Sequence, residues 1–194
     1  MPNIAAFISY VLVTTFTPGP NNIMAMSNAS RYGFKKSIMF NLGAFSGFFI
    51  IIALSNIFTV TLYSLIPSIK PVMTYIGAAY ILWLAWKIYN SKPHNDTKGQ
   101  KRTNTYFAGL LLQFVNPKAI IYAVTLVSTF IVPYYKSVPV LAAFSISLAF
   151  VGFLSTCSWA LLGSAFNKFL VKNDRVVNTV MSLLLAYCAV SLFL

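Results

Sequence analysis

From Pro2 to Ser30 the chain carries no charged residue, and five later stretches are nearly as poor in charge: Ser37 to Ile69, Pro71 to Tyr89, Thr105 to Ile131, Ser137 to Asn167 and Val176 to Leu194. Lys87 and Lys118 are the only charges inside them. Crossing a hydrocarbon core about 30 Å thick takes roughly 20 residues of apolar helix, and each run approaches or exceeds that length. With 58% hydrophobic and 8% charged residues and a mean hydropathy of +0.76, the composition lies outside that of soluble domains. The expectation is an all-α integral membrane protein with six transmembrane helices. Alternation at period two is absent, and the runs are too long for barrel strands of about 10 residues.

The first run lacks a basic leader and contains Pro-Gly-Pro where a signal peptide needs an unbroken apolar core, so it is expected to stay in the mature protein. Of the 14 basic residues, 11 fall on one side of a six-crossing topology: Arg31, Lys35, Lys36, Lys87, Lys92, Lys98, Lys101, Arg102, Lys168, Lys172 and Arg175. Lys70 and Lys136 face the other way. The positive-inside rule makes the rich side cytoplasmic and puts both termini outside a plasma membrane. A net charge of +12 distributed loop by loop in this manner reads as topology and affinity for anionic lipid, not as a nucleic-acid surface.

Residues 90–104 form one long polar stretch. It separates a three-helix unit, residues 1–89, from a second, residues 105–194, and is expected as a cytoplasmic linker. An odd number of crossings per unit makes the two repeats inverted. Gly43 and Gly47 give a GxxxG spacing in the second run and Gly77-Ala78-Ala79 a small face in the third, both suited to close helix packing. Trp83, Trp86, Tyr89, Tyr134 and Tyr135 fall at helix ends, as in an interfacial aromatic belt. Cys157 and Cys188, in no metal-ligand or CxxC spacing, are expected to behave as small apolar residues.

Helices one and four are interrupted at matching places, by Thr17-Pro18-Gly19-Pro20-Asn21 and by Asn116-Pro117-Lys118. Unwound backbone at bilayer depth is tolerated only where protein or a water-filled cavity satisfies it, and paired interruptions mark a carrier's binding site. Pro18 has no N–H for the carbonyl of Thr14, Pro20 none for Phe16 and Pro117 none for Gln113. Asn21 or Asn22 is placed to cap the second half-helix. Pro18 lies ~21 Å along the chain axis from Ile4, and Pro117 ~18 Å from Thr105, so breaks entering from opposite faces meet near the middle. Lys118, an intramembrane cation, is functional by default. A free amino acid would direct its carboxylate to Lys118 or a half-helix N-terminus, and its ammonium to freed carbonyls and Asn side chains. The expected substrate-binding residues are Pro18, Gly19, Pro20, Asn21, Asn116, Pro117 and Lys118. No cofactor or metal is expected.

These motifs resemble those of the LysE/RhtB family of small amino-acid exporters: Pro-Gly-Pro-Asn in the first helix, Asn-Pro-Lys in the second half, and Gly77-Ala78-Ala79-Tyr80-Ile81-Leu82-Trp83-Leu84-Ala85-Trp86-Lys87 in the third helix. Ser128-Thr129-Phe130 stands where many members have Pro-Gln after the fourth-helix motif, a departure similar to the branch exporting cysteine and O-acetylserine. The resemblance implies secondary transport of such small neutral amino acids out of the cytoplasm. Homoserine, threonine or lysine as substrate, a passive channel for small polar solutes, and a homo-oligomer all stay open. An intramembrane enzyme would need a nucleophile–base pair, a carboxylate dyad or a metal cluster at depth, and the sequence supplies none. There is no Glu, and Asp96, Asp174 and His94 map to loops or helix ends, so the coupling stays open between titration of Asp174 at the mouth of the sixth helix, proton exchange by Lys118, and the substrate gradient alone.

Overall fold

The computed structural model describes residues 4–90, 103–166 and 173–190; most of the expected linker, with His94 and Asp96, lies outside the described residues. The described residues form, in order, α1 (Ile4–Phe16), α2 (Pro20–Tyr32), α3 (Phe34–Tyr89), α4 (Tyr106–Val115), α5 (Pro117–Leu126), α6 (Val138–Ala165) and α7 (Asp174–Val190). A π-helical turn, Val127–Ile131, extends α5. There is no strand among the described residues.

Local chemistry sets the boundaries. Pro20 and Pro117 open α2 and α5, where a missing N–H has no helical partner to lose. Thr105 caps α4, its hydroxyl accepting from Ala108 N at 3.1 Å. Gly33, at φ +80°, turns the chain between α2 and α3 in a conformation that a side chain would strain.

By length and composition, Phe34–Ile57 and Val138–Ala165 are each long and apolar enough to cross a membrane, as are α4 and α5 together if their bend of 67° at Asn116 counts as one broken span. Helical backbone continues across Lys70, where a turn between crossings was expected. The run is nonetheless no straight rod. Phe40 shares a core cluster with Ala78, Ile81 and Ile88, whereas a straight helix would hold residues 40 and 88 about 72 Å apart. Pro67 and Pro71 each remove a backbone bond from the intervening stretch.

Small residues bring the helices together. A Cβ added to Gly43 would run into the backbone of Tyr106, one at Gly47 would meet Leu110 O at 2.7 Å, and one at Gly109 would strike Phe40 O. The GxxxG pair thus packs α3 on α4, with Gly109 answering from the other side. Gly163 does the same for α6 against the Met26 carbonyl of α2.

The interior holds two apolar clusters. One gathers Ile23, Phe40, Leu112 and Ala160 with residues of α7, the other Val11, Phe48, Ala119 and Ala149 with the rest of α5. On the elements that contribute to both, the segments between them are residues 12–22 in α1–α2, 41–47 in α3, 113–118 in α4–α5 and 150–159 in α6. Trp83, Trp86, Tyr89 and Tyr134 are exposed, as a lipid-facing belt requires, and Lys87 reaches back over the Trp83 ring, 4.8 Å from its centroid.

Candidate functional site

The two broken helices run in opposite directions. Near the start of α1, Phe7 packs on Phe130 (5.8 Å between centroids) and Tyr10 on Tyr122 (5.6 Å); past the first break, Asn21 meets Gln113, and Asn28 donates to Thr103 O at 3.2 Å. Their interruptions therefore meet. Lys118 Nζ lies 3.0 Å from Thr17 Oγ1, 3.3 Å from Thr17 O and 3.4 Å from Pro18 O, so the cation of the second break binds the open backbone of the first. Its stem crosses Gly19, where an added methyl would press on Nζ and Cδ at 3.1 and 3.2 Å. The missing side chain is what admits the lysine.

Three amides join the breaks. Asn21 Nδ2 donates to Gln113 Oε1 at 2.8 Å and Gln113 Nε2 returns a bond to Asn21 Oδ1 at 3.0 Å. Asn116 Nδ2 adds 3.3 Å to the same Asn21 oxygen. Asn116 is itself buried, and its Oδ1 has no partner. A buried acceptor without a donor is costly enough to demand an explanation.

The carbonyls freed by proline have all but one found visible donors. Thr14 O accepts from Thr17 Oγ1 at 3.1 Å, and Phe16 O from Trp159 Nε1 at 3.2 Å. Asn22 Nδ2 donates to Thr15 O at 2.9 Å and Thr17 O at 3.0 Å, while Ser155 Oγ faces Thr15 O at 2.9 Å and Asn22 Oδ1 at 3.3 Å. Neither asparagine caps α2, as the sequence had suggested; Gly19 holds the N-cap position, with no side-chain cap bond. Asn22 reaches back across the break instead, where two carbonyls in apolar surroundings outbid one N–H.

A cavity of about 60 Å³ opens at this junction, against the 10–15 Å³ or so that one water requires. Gly19, Pro20, Asn21, Asn116 and Lys118 line it, together with Thr15, Gln113 and Thr156; Phe45, Phe48, Tyr122, Ala149 and Gly152 form its apolar wall. Of the expected site residues, Pro18 touches Lys118 through its carbonyl without lining the cavity, and Pro117 is buried behind it. Gln113, Tyr122 and the α6 residues were not anticipated. Gln113 had a signal, a lone amide in an apolar run; Ser155 and Trp159 look like ordinary span residues. Tyr122 accepts from Thr15 Oγ1 at 3.1 Å and stacks on Phe48, 5.6 Å between centroids.

Opposed broken helices that meet around a cavity with a polar edge and an apolar wall are the architecture of a membrane translocator. The chain belongs to the LysE type translocator family, whose model matches residues 12–194. It is 39% identical over 190 residues to the cysteine/O-acetylserine efflux proteins of Escherichia coli (strain K12) and Shigella flexneri serotype 5b, covering 98% of this chain and 97% of theirs. Identity to the protein of that name from Salmonella paratyphi A is 40% over the same length. No solved structure matches significantly.

Proposed function

We propose that the chain exports cysteine, O-acetylserine or a closely similar small neutral amino acid from the cytoplasm by alternating access, and that the cavity between the two breaks is its substrate site. One observation carries this: Lys118 and Asn116 both line the cavity, and Asn116 keeps a buried Oδ1 without a partner, so a cation and an acceptor fall within one small space. A zwitterion would set its carboxylate on Lys118 Nζ and its ammonium on Asn116 Oδ1. The apolar wall of Ala44, Ala149 and Gly152 suits a short side chain. No carboxylate is among the described residues that line the cavity, which disfavours lysine as a substrate.

The proposed architecture is six crossings in two inverted repeats, residues 1–89 and 105–194, joined by a cytoplasmic linker at 90–104. Antiparallel broken helices support it. So does the gathering of charge at one end: Asn104 bonds Lys36 O, Arg31 bonds Asn178 near the start of α7, and Arg31 and Lys87 share a small pocket. The broken helix begun at Ile4 reaches that end only at the close of α2, and α7 starts there and runs to Val190, which favours both termini outside.

Everted membrane vesicles should accumulate labelled cysteine and O-acetylserine, with saturation and with stimulation by substrate on the far side. Lys118→Met should abolish accumulation while the protein remains in the membrane. Unaltered uptake by that variant removes Lys118 from the site, and unsaturable flux without trans-stimulation replaces the carrier by a channel.

A further inference from the structure

We propose that substrate travels along the seam between α3 and α6, closed on either side of the cavity by an asparagine: Asn41 against Cys157 on the basic side, and Asn56 against Ser145 and the Leu141 carbonyl on the other. The pairings rest on the export function proposed above and extend it to the route.

Asn41 is fully buried, with Nδ2 3.5 Å from Cys157 Sγ and Oδ1 without a partner. Asn56 Nδ2 donates to Ser145 Oγ at 2.9 Å, and its Oδ1 is buried and unpartnered as well. Both contacts continue the cavity wall. On α3, Ala44 and Phe45 line the cavity about one turn beyond Asn41, and Phe48 lines it two turns before Asn56. On α6, which runs the other way, Thr156 lines the cavity beside Cys157, and Ala149 lies one turn from Ser145. The asparagines are thus about 22 Å apart along α3, with the cavity between them.

Their chemistry differs from that of the neighbouring amides. Asn21, Asn22 and Gln113 use both the donor and the acceptor of their side chains, as buried amides that hold a fold together should. Asn41 and Asn56 each leave a carbonyl oxygen bare in the seam, at a standing cost. An ammonium group moving from one oxygen to the Asn116 oxygen in the cavity and on to the next would meet an acceptor at each stage. The contact to sulfur is weak, so the basic side needs little energy to part.

Thiol accessibility tests the route. In a Cys188→Ser chain, a membrane-impermeant maleimide should modify Cys157 from the cytoplasmic face; in a Cys157→Ser, Cys188→Ser chain carrying Ser145→Cys, it should react from the outer face. If each contact is reached from the far face no more than about a tenth as often as from its own, each thiol reacts about tenfold faster from its own side. Saturating O-acetylserine, which does not consume the reagent, should change the two rates in opposite senses. If Ser145→Cys fails to reach the membrane, Asn56→Cys takes its place. Reaction of both thiols from one face, or of neither from any face, while labelled O-acetylserine still crosses, overturns the seam and leaves export intact. Absence of O-acetylserine transport by the unsubstituted chain overturns export and the route with it.

Discussion

Asn22→Ala separates a break held by side chains from one that merely kinks. Asn22 is 5% exposed and makes three contacts, to Thr15 O, Thr17 O and Ser155 Oγ. Membrane hydrogen bonds average about 0.6 kcal/mol each, so the three account for about 2 kcal/mol, and the lost packing adds a little. The carbonyls do not become orphans in this variant, since Thr15 O keeps Ser155 at 2.9 Å and Thr17 O keeps Lys118 at 3.3 Å. Removing Ser155 as well strips Thr15 O of its donors. That orphan costs about 1–3 kcal/mol, more than the roughly 0.6 kcal/mol recovered from the direct Asn22–Ser155 contact already lost. Asn22→Ala with Ser155→Ala should therefore exceed the sum of the single changes by about 0.4–2.4 kcal/mol. Denaturation with SDS in mixed micelles, followed by intrinsic fluorescence, measures all four species. A double variant at or below the sum, or an Asn22→Ala within about 0.5 kcal/mol of the parent, refutes the accounting.

Gly43→Val should abolish recovery of monodisperse protein in detergent, because its branched side chain must enter the Tyr106 backbone, whereas Gly152→Ala, meeting only the Phe48 ring at 3.3 Å, should be recovered near parental yield on size exclusion. Tyr122→Phe removes the acceptor of Thr15 Oγ1 in the cavity wall; SDS denaturation should show a loss of about 0.6 kcal/mol, and a loss above about 2 kcal/mol would contradict this. A tenfold excess of lysine over labelled cysteine should leave uptake unchanged, since a second cation about 4 Å from Lys118 costs on the order of 4 kcal/mol at an effective dielectric of 20; competition equal to that of unlabelled cysteine would contradict this.

Much of the helical content was legible because charge-free runs of this length have few alternatives in lipid. The meeting of the breaks was legible too, from counting residues between Ile4 and Pro18 and between Thr105 and Pro117. What the string hid was the identity of the donors. Pro18 and Pro20 announce that carbonyls are released, but Trp159 and Ser155, more than 130 residues away, are chosen by how α6 crosses α1, which no local pattern encodes. Asn22 was ambiguous for a different reason: next to a half-helix N-terminus, capping forward and bonding backward are both available, and only the packed surroundings decide. The Lys70 region shows the converse, where a charge between prolines suggested a turn and the backbone stays helical.

Lys118 bonds the Pro18 carbonyl and shares the Thr17 carbonyl with Asn22, so a ligand that takes the lysine must leave the oxygens of the break no worse off, the Pro18 oxygen above all. A simple carboxylate draws the ammonium away and strands the Pro18 oxygen. A simple amine finds acceptors but brings a second positive charge beside Lys118. A zwitterion does neither: its carboxylate occupies the lysine while its own ammonium serves the oxygens of the break or of Asn116, and the charge within the cavity is unchanged. Selection for an α-amino acid follows from this exchange alone, before any contact with the side chain. Acetate and cysteamine, each carrying half of the pair, should fail to inhibit O-acetylserine transport at concentrations where cysteine does; inhibition by either at cysteine's potency would mean that the two ends are read separately and that the exchange does not set the specificity.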